Sequence, residues 1–447
     1  MSGLRERLER LRGSSSTGKP GADAAAEGAA GGTSGAEPAE QLHEAFEKLG
    51  VGRIDNEYGS FLLRRRAYSL DYRHGYYELG ALLRYAPWLD RVAYRQNGKG
   101  RTIEQVPPEP LNAAQLLFLD TETTGLGVGA GNVPFMIGIG YVEPEQGQLI
   151  VEQTLIRHPG EEKAMLHYLL GRLARCTHLA TYNGRSFDWP VLAGRFILNG
   201  WRSTGAEPGH LDFLHPSRAL WRNTLESCRL SRIEEERLGI ARGPDVPGSL
   251  APELYVRYLG DGDASHLEGV YLHNERDVLT LVALASHFGA LLSGEATGGA
   301  AGAGVPEGAE ELYRTAAWLD THGRPELSEP LFQTLAGRED PSAARWWMQT
   351  ALRYKRLGRM EQAVRLWERA ARRAEQSPFP SFEAHVELAM HYEHRAKDYA
   401  KALKYAEQAL ELALRRFGSL RETPRSREER EGLRRRVERL RRKAGFS

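Results

Sequence analysis

Cysteine is nearly absent from this chain of 447 residues, which contains only Cys176 and Cys228. The two lie in different segments without CxxC spacing, so neither a disulfide framework nor a cysteine-ligated zinc site is expected, and a cytoplasmic location is predicted. An excess of either charge is also missing, because 60 Lys and Arg residues balance 59 Asp and Glu residues to a formal net charge of +1. Contact with nucleic acid is therefore expected from local basic patches and not from the whole surface.

Long apolar runs are lacking as well. We expect no stretch of about 18 apolar residues that could cross a bilayer, and hence no membrane partner. The first residues, MSGLRERLERLRG, have no apolar core of the kind found in secretory signals. Residues 13–39 and 293–309 are rich in Gly and Ala and poor in large apolar residues. Their composition predicts a disordered N-terminal tail over residues 1–39 and a linker over residues 293–309.

The segment between these two stretches alternates between apolar strands and amphipathic helices. Three consecutive strands are followed by helix–strand units, a pattern that predicts an α/β domain with a mixed sheet over residues 111–292. Residues 40–110 are predicted to be an accessory region packed on it, with a helix from about Gln41 to Gly50 and then a few strands. The predicted strands of the domain are QLLFLD, VPFMIGIGYVE, GQLIVEQTLIR, THLATYNG and GHLDFLH.

Residues 310–447 contain no strand pattern and read as three helix–turn–helix units. The turns at Gly323, Gly358 and Lys397 are 35 and 39 residues apart, near the 34-residue tetratricopeptide period. Such units must stack to bury their apolar faces, so an all-α repeat domain is predicted. A basic C-terminal helix is expected to cover the end of the stack.

Two carboxylates, Asp120 and Glu122, stand at the end of the apolar strand LLFLDTETTGLG. In an extended segment, side chains two residues apart point the same way. Two anions so close are costly unless a cation lies between them, and oxygen ligands favour magnesium or manganese. The alternative is a solvated turn with a capping Asp.

Two further segments repeat this pattern. YNGRSFDWPVL puts Asn183 at a strand end and Asp188 at the start of a helix, where a simple N-cap role is the alternative. HNERDVLTL places His273 and Asp277 four residues apart on one helical face, where a solvated His–Asp pair is the alternative. The three segments together are more specific than any one of them.

In this order, FLDTETTGL, YNGRSFDWPVL and HNERDV resemble the three motifs of the DEDD group of 3′–5′ exonucleases, which have a ribonuclease H-like fold. One subgroup of that group has Tyr four residues before the last Asp, and the other has His five residues before it. Here His273 stands four residues before Asp277. A resemblance to the bacterial YprB-like family of ribonuclease H-like proteins, often joined to tetratricopeptide repeats, covers roughly residues 54–292 and is carried by segments such as GNVPFMIGIGYVE, LDFLHPSRALW and DVPGSLAPELYVRYL.

The resemblance implies a nuclease that uses two Mg²⁺ or Mn²⁺ ions to activate water and stabilise the transition state. It implies that Asp120 bridges both ions. Glu122 and Asp277 would complete the first site, and Asp188 would hold the second. His273 would orient or deprotonate the attacking water, since imidazole is a suitable base near neutral pH.

Other residues are expected to bind the substrate. Tyr271 is a second candidate for orienting or deprotonating the attacking water. The expected substrate contacts are Thr123, Thr124, Tyr182 and Asn183, with the two threonines also able to brace the strand end. Asp212 could assist, although capping of the following helix is the alternative.

Residues 58–101 carry nine basic groups against three acids, and aromatic residues are interleaved with them, among them Tyr68, Tyr72, Tyr76, Tyr77, Tyr85 and Trp88. Arg64 and Arg66 are predicted to line a cationic groove for single-stranded ends. Alternatively, the aromatics pack an accessory sheet and the arginines are solvated. The first hypothesis for function is a metal-dependent 3′–5′ exonuclease on DNA or RNA. The alternatives are a nucleic-acid-binding scaffold whose repeats recruit a partner or self-associate, and a structure-selective endonuclease.

Overall fold

The computed structural model describes residues 42–97, 110–125, 127, 129, 131–201, 208–243, 245–295, 306–418 and 423–445. The predicted tail over residues 1–39 lies outside the described residues, as does most of the predicted linker over residues 293–309. From residue 43 onward the described residues belong to one compact unit.

Nine strands within the described residues form a seven-stranded sheet and a separate two-stranded sheet. The strands are β1 Val51–Asn56, β2 Gly59–Ser69, β3 Arg73–His74, β4 Tyr77–Glu78, β5 Leu116–Thr123, β6 Pro134–Glu143, β7 Gln148–Leu155, β8 His178–Thr181 and β9 Gly209–Asp212. The large sheet has the order β1-β2-β7-β6-β5-β8-β9. Strands β5, β8 and β9 run parallel and the other neighbours pair antiparallel, so the predicted mixed sheet is confirmed.

The accessory region is joined to this sheet. Strand β2 pairs with β7 over Leu62–Ser69, so β1 and β2 extend the sheet. The few strands expected in this region are present as β1 to β4, and the chain that follows them is helical from Ala81 to Asn97, which the sequence did not predict. The helices of the α/β part are α1 Glu44–Leu49, α2 Ala81–Tyr85, α3 Asp90–Asn97, α4 Glu162–Leu173, α5 Asp188–Leu198, α6 Leu214–Trp221, α7 Leu230–Ile233, α8 Ala251–Asp261 and α9 Glu268–Ser293.

Helix α9 packs directly on the centre of the sheet because two glycines in β6 leave room for it. A Cβ atom on Gly138 would lie 2.1 Å from Asn274 Oδ1. A Cβ atom on Gly140 would lie 2.7 Å from Val278 Cγ1. Glycines two residues apart face the same side of a strand, so the GIG sequence creates one smooth surface on which the helix can rest.

The same helix is unusually long and apolar. The segment Ala264–Ser293 is long and apolar enough to cross a membrane by length and composition alone, contrary to the expectation from sequence. However, 83% of the most apolar 18-residue stretch of this segment is buried inside the protein. Core helices of this kind pass the same test, so the observation is weak evidence for a membrane segment.

The described residues between 309 and 443 form helices joined by short turns and loops, as predicted. The helices are α10 Ala309–Thr321, α11 Pro325–Gly337, α12 Pro341–Ala344, α13 Trp347–Arg356, α14 Met360–Glu375, α15 Glu383–His391, α16 Tyr399–Gly418 and α17 Pro424–Lys443. The basic helix α17 places Leu433, Val437 and Leu440 against the preceding helices, so it covers one end of this region as expected.

The apolar core continues from the sheet into the helical region. The rings of Phe288 in α9 and Trp318 in α10 lie 5.8 Å apart between centroids. Both belong to one cluster that reaches from the sheet to Leu388. Within the helical region, the buried Arg353 bonds Asp320 at 2.9 Å and Glu329 at 2.7 Å, which ties the first two helix pairs together.

Candidate active site

Strand β5 carries the first two acids. Asp120 and Glu122 lie two residues apart in extended backbone, so both side chains leave the same face of the sheet. Asp120 pairs with Gly138 of β6 and Glu122 with Met136, and the register shifts between Glu122 and Thr123. The Glu122 side chain is buried and Asp120 is partly exposed. Because both belong to a strand, the alternative of a solvated turn is wrong.

Asp188 is the first residue of α5 and lies against β5. The N-cap position of this helix is Phe187, which makes no side-chain capping bond, so the N-cap alternative for Asp188 is wrong. Thr121 donates its hydroxyl to Asp188 Oδ1 at 2.5 Å. Thr121 stands between Asp120 and Glu122 in the sequence, so this bond fixes the third acid to the strand that carries the first two. Burial raises the pKa of Asp188 to about 6.

Helix α9 supplies His273 and Asp277. His273 Nε2 lies 3.6 Å from Asp277 Oδ2, and the two side chains are 12% and 13% exposed. A solvated pair is therefore the wrong description. His273 Nδ1 lies 3.1 Å from Asp245 Oδ2, so the ring is held between two carboxylates. Burial raises the pKa of Asp277, while His273 and Arg242 partly offset that rise.

The four predicted acids perturb one another. Burial holds the pKa of Asp120 well above its usual range, and the negative charges of Asp277 and Asp188 raise it further. The pKa of Glu122 is raised by burial and then by the charges of the other three acids. Such repulsion requires proximity, so the fold brings together carboxylates from three separate segments. Crowded carboxylates are relieved either by protonation or by a cation.

One guanidinium lies beside these acids. Arg242 Nη2 donates to Asp277 Oδ1 at 2.6 Å and Nη1 donates to Asp245 Oδ2 at 2.7 Å. Arg242 Nε donates to the buried Glu234. Among the described residues, no three His, Cys, Asp or Glu side chains are arranged to hold a metal ion as they stand. The donor set still fits a hard divalent cation, since it consists of carboxylate oxygens whose charge Arg242 only partly balances.

A buried chain of hydrogen bonds supports Asp120 from behind. Asn274 Nδ2 donates to Asp120 Oδ2 at 2.8 Å, and Asn274 Oδ1 accepts from Gln153 Nε2 at 2.9 Å. Arg64 Nη1 donates to Gln153 Oε1 at 2.7 Å and to Glu275 Oε2 at 2.9 Å. The chain fixes the orientation of the Asp120 carboxylate, as outer hydrogen bonds commonly do for metal ligands.

Sequence reasoning missed several residues of this site. Arg242 and Asp245 lie in a loop between helices, where no periodic pattern marks them. Asn274 lies in the HNERD segment beside His273, and its signal was available in the GIG of β6. A glycine inside a strand often marks close approach by another element, and Gly138 faces the Asn274 amide.

Two predicted roles are corrected by burial. Arg64 is only 3% exposed and is bonded to Gln153 and Glu275, so it cannot line a substrate groove. Tyr271 is fully buried, its ring lies 6.5 Å from that of Phe46, and its hydroxyl has no hydrogen-bond partner in the described structure. It faces the core and is excluded as a base in this conformation.

The remaining predicted substrate contacts form the rim of the site or brace it. Thr123 donates its hydroxyl to the Gly125 carbonyl at 2.7 Å, and the Thr124 hydroxyl accepts from the Val133 amide at 3.1 Å. Both threonines are buried, which agrees with the bracing alternative. Tyr182 donates its hydroxyl to the Cys228 carbonyl at 2.6 Å, and so serves to hold its loop.

Asn183 is exposed and has a left-handed backbone with φ 66°. The buried Asp212 accepts its amide at 2.8 Å and the Arg185 amide at 3.3 Å. Asp212 also accepts the Leu214 amide at 3.0 Å, at the first turn of α6. Asp212 thus accepts an amide of the first turn of α6, although the N-cap residue of that helix is Phe213, and it also fixes the loop that leads to Asp188.

The basic and aromatic region of residues 58–101 agrees in part with each of two expectations, a cationic groove for nucleic acid and a set of aromatics that pack the accessory region. Tyr77 and Tyr85 are buried and pack the core, which agrees with the packing alternative. Tyr72 and Tyr76 are 45% and 46% exposed. The Arg66 side chain is half exposed, lies over the Tyr68 ring at 5.6 Å and reaches Glu275 at 3.4 Å.

Comparison with known proteins agrees with this fold. The family model of the RNase_H superfamily matches residues 117–288, which include β5, α5 and most of α9. These residues therefore form a domain of the RNase H superfamily, which supports a nuclease-type hydrolytic function and implies nucleic-acid binding. It is 35% identical over 370 residues to the uncharacterized protein YprB of Bacillus subtilis (strain 168), covering 82% of this chain and 84% of YprB. The chain belongs to the same family as YprB.

Proposed function

We propose that this protein is a cytoplasmic, metal-dependent nuclease that hydrolyses phosphodiester bonds, with 3′–5′ exonuclease activity on DNA or RNA. The observation that carries the proposal is the meeting of Asp120, Glu122, Asp188 and Asp277 at β5. Thr121 of this strand bonds Asp188 at 2.5 Å, and Asn274, three residues before Asp277 in α9, bonds Asp120 at 2.8 Å. The raised pKa values of the four acids agree with this arrangement. Purely structural folding gives no reason to crowd four carboxylates together, two of them buried and two partly exposed, since each raises the cost of ionising the others.

Two Mg²⁺ or Mn²⁺ ions held by these four acids would supply Lewis-acid activation of water and stabilise charge at the phosphate. The chain's own residues would then orient the reaction. Asn274 holds the Asp120 carboxylate by one oxygen and leaves the other oxygen free to act as a ligand. Thr121 fixes one oxygen of Asp188 in the same manner.

His273 is placed to move a proton. With Nδ1 as the protonated nitrogen donating to Asp245, Nε2 presents a lone pair on the side of Asp277. That nitrogen can accept the proton of the attacking water, and Asp245 stabilises the imidazolium that results. The spacing of four residues from Asp277 does not prevent this, because positions i and i+4 lie on the same helical face.

The proposal is tested with single-stranded and double-stranded oligonucleotides that carry a label at either the 5′ or the 3′ end, incubated with Mn²⁺ or with EDTA. We expect metal-dependent release of mononucleotides from the 3′ end, lost in Asp120→Asn. The matched control is Asp71→Asn, an exposed acid far along the chain from β5. Equal cleavage by the parent and Asp120→Asn, or no cleavage by the parent with either metal, would refute the proposal.

A second candidate is a nucleic-acid-binding scaffold with weak cleavage activity. It is favoured by the ion pair between Arg242 and Asp277, which neutralises one proposed ligand. In the cleavage assay it predicts binding of oligonucleotides with little metal-dependent product. A structure-selective endonuclease, in contrast, would give internal fragments from both end labels.

We further propose that residues 111–292 are the nuclease domain and that residues 310–447 form tetratricopeptide-like repeats. Support comes from the helix pairs and from the 35-residue and 39-residue steps between their turns. Such repeats would recruit a protein partner or mediate self-association. Light scattering of the full chain distinguishes these two roles, because only self-association raises the mass with concentration.

A further inference from the structure

A second site lies where the α/β part meets the first helix of the helical region. A cavity of about 640 Å³ opens between α3, α6 and α10. Four arginines and two histidines line it, and no carboxylate is among its described lining residues: the basic ones are Arg95, His215, Arg218, Arg222, Arg314 and His322. A concave wall of one charge is a site for an anion.

The arginines on α6 have the charge that is least compensated. Arg218 and Arg222 are four residues apart, so they lie on the same side of the helix. Both are exposed, and neither guanidinium makes a hydrogen bond or ion pair with any described residue. By contrast, Arg314 bonds Glu310 at 2.7 Å and Arg95 bonds the Thr321 carbonyl at 2.7 Å. Two guanidinium groups are therefore free to bind a ligand in the cavity.

The cavity is connected to the acid site through a short series of contacts. Gln96, which lines the cavity, bonds the Asp212 backbone through both its amide nitrogen and its oxygen, at 2.9 and 2.8 Å. The Asp212 carboxylate in turn holds the amides of Asn183 and Arg185. That loop leads directly into Asp188. Because Asn183, Arg185 and Ser186 are exposed, this loop offers a surface between the cavity and Asp188 along which a bound chain molecule could continue.

We propose that this cavity binds the phosphodiester backbone of single-stranded nucleic acid, with Arg218 and Arg222 as the phosphate contacts. The occupant is chosen by charge: four crowded carboxylates repel a polyanion, so a substrate of the acid site needs a cationic surface next to it. Arginine suits this task because its planar donors match a phosphate. The direction of the strand toward Asp188 rests on the proposed nuclease function, whereas binding in the cavity does not.

The test measures binding of the full chain to a fluorescent single-stranded oligonucleotide of about 20 nucleotides, longer than the roughly 4–16 nucleotides of common binding sites. EDTA is present, so no cleavage occurs. For the double variant Arg218→Ala with Arg222→Ala, we expect roughly tenfold weaker binding at low salt. The slope of log K against log salt concentration should also fall by about 1.4, which is about 0.7 for each lost phosphate contact.

Two kinds of variant separate charge from folding. Replacing both arginines by Lys should keep the salt slope, because the charges remain. Ala317→Glu, which puts a carboxylate into the lining without removing an arginine, should weaken binding as the double Ala variant does. The matched control removes two charges from exposed positions on α14, Arg372→Ala with Arg373→Ala, and should bind like the parent.

The outcomes distinguish this proposal from the nuclease proposal. Unchanged affinity and salt slope in both the double Ala variant and Ala317→Glu would overturn the cavity assignment even if the parent cleaves with Mn²⁺. Weakened binding in those variants supports it even if the parent never cleaves. Equal competition by polyglutamate of the same charge would also overturn it, because the cavity would then take acidic peptides as readily as phosphates.

Discussion

Replacing Asp188 by Asn should stabilise the metal-free protein above neutral pH. Burial raises the pKa of Asp188 from 3.8 to about 6, so the folded protein holds this proton more tightly than the unfolded chain. The associated stability is fully present below about pH 4 and is lost as the pH rises through about 6. At 1.36 kcal/mol per pKa unit, the loss amounts to about 3 kcal/mol. Asn cannot ionise, avoids this loss and can still accept the hydroxyl of Thr121.

The assay is urea unfolding of the parent and Asp188→Asn in EDTA, followed by tryptophan fluorescence between about pH 4 and pH 8. The free energy of unfolding of the variant should equal that of the parent near pH 4 and exceed it by about 3 kcal/mol above pH 7. Comparing the two at each pH cancels the opposite contribution of the buried histidines, such as His287, whose pKa is lowered to about 4 by burial.

A control and a metal arm complete this experiment. Asp71→Asn, at an exposed position, should track the parent at every pH. Saturating Mn²⁺ should stabilise the parent more than Asp188→Asn, since a cation favours the ionised acid. The explanation would be refuted if Asp188→Asn were less stable than the parent above pH 7. It would also be refuted if the difference between their free energies of unfolding did not change with pH, because ionisation of the buried Asp188 would then not destabilise the protein.

Three further substitutions probe the supports of the fold and site. Gly138→Ala puts a methyl group against Asn274, so the free energy of unfolding in urea should fall by about 1–3 kcal/mol. The rise in melting temperature on adding Mn²⁺ should also be smaller than in the parent. An unchanged melting curve would contradict the close packing of α9 on the sheet. Arg353→Ala leaves Asp320 and Glu329 without their buried partner, so the free energy of unfolding in urea should fall by about 3–5 kcal/mol. Arg372→Ala, at an exposed position, should leave it almost unchanged. Glu393, whose pKa is lowered to about 2 with Arg439 and Lys443 as its partners, contributes stability above about pH 4.5 that is lost as the pH falls through 2. The difference between Glu393→Gln and the parent should therefore reach up to about 3 kcal/mol at pH 7 in urea unfolding and shrink in acid, and a pH-independent difference would argue against this ion pair.

The strands and acids could be predicted because their signals are local. An apolar run such as LLFLD has to be buried, and a charge at its end requires a special explanation wherever the strand lies in the sheet. Asp120 and Glu122 therefore stood out before any tertiary contact was known. Asp188 and Asp277 followed from short motifs on helices, where the spacing of residues fixes which side chains share a face.

The errors came from side chains whose environment is set by distant residues. Arg64 and Tyr271 read locally as a substrate contact and a base, yet both are buried through contacts with β7 and α1. The few strands expected in the accessory region are present as β1 to β4, whereas the helices α2 and α3 after them were not predicted, because aromatic residues favour strands until burial against another element decides otherwise.

The sequence by itself determined the order of strands and helices, the mixed sheet and the four acids, since hydrophobic periodicity and charge at strand ends act over a few residues. Only the tertiary structure decided what surrounds those acids. Arg242 reaches Asp277 from a loop 35 residues away, and Asn274 reaches Asp120 across 154 residues. Such pairings depend on how closely α9 can approach the sheet, and that distance is set by the missing side chains of Gly138 and Gly140.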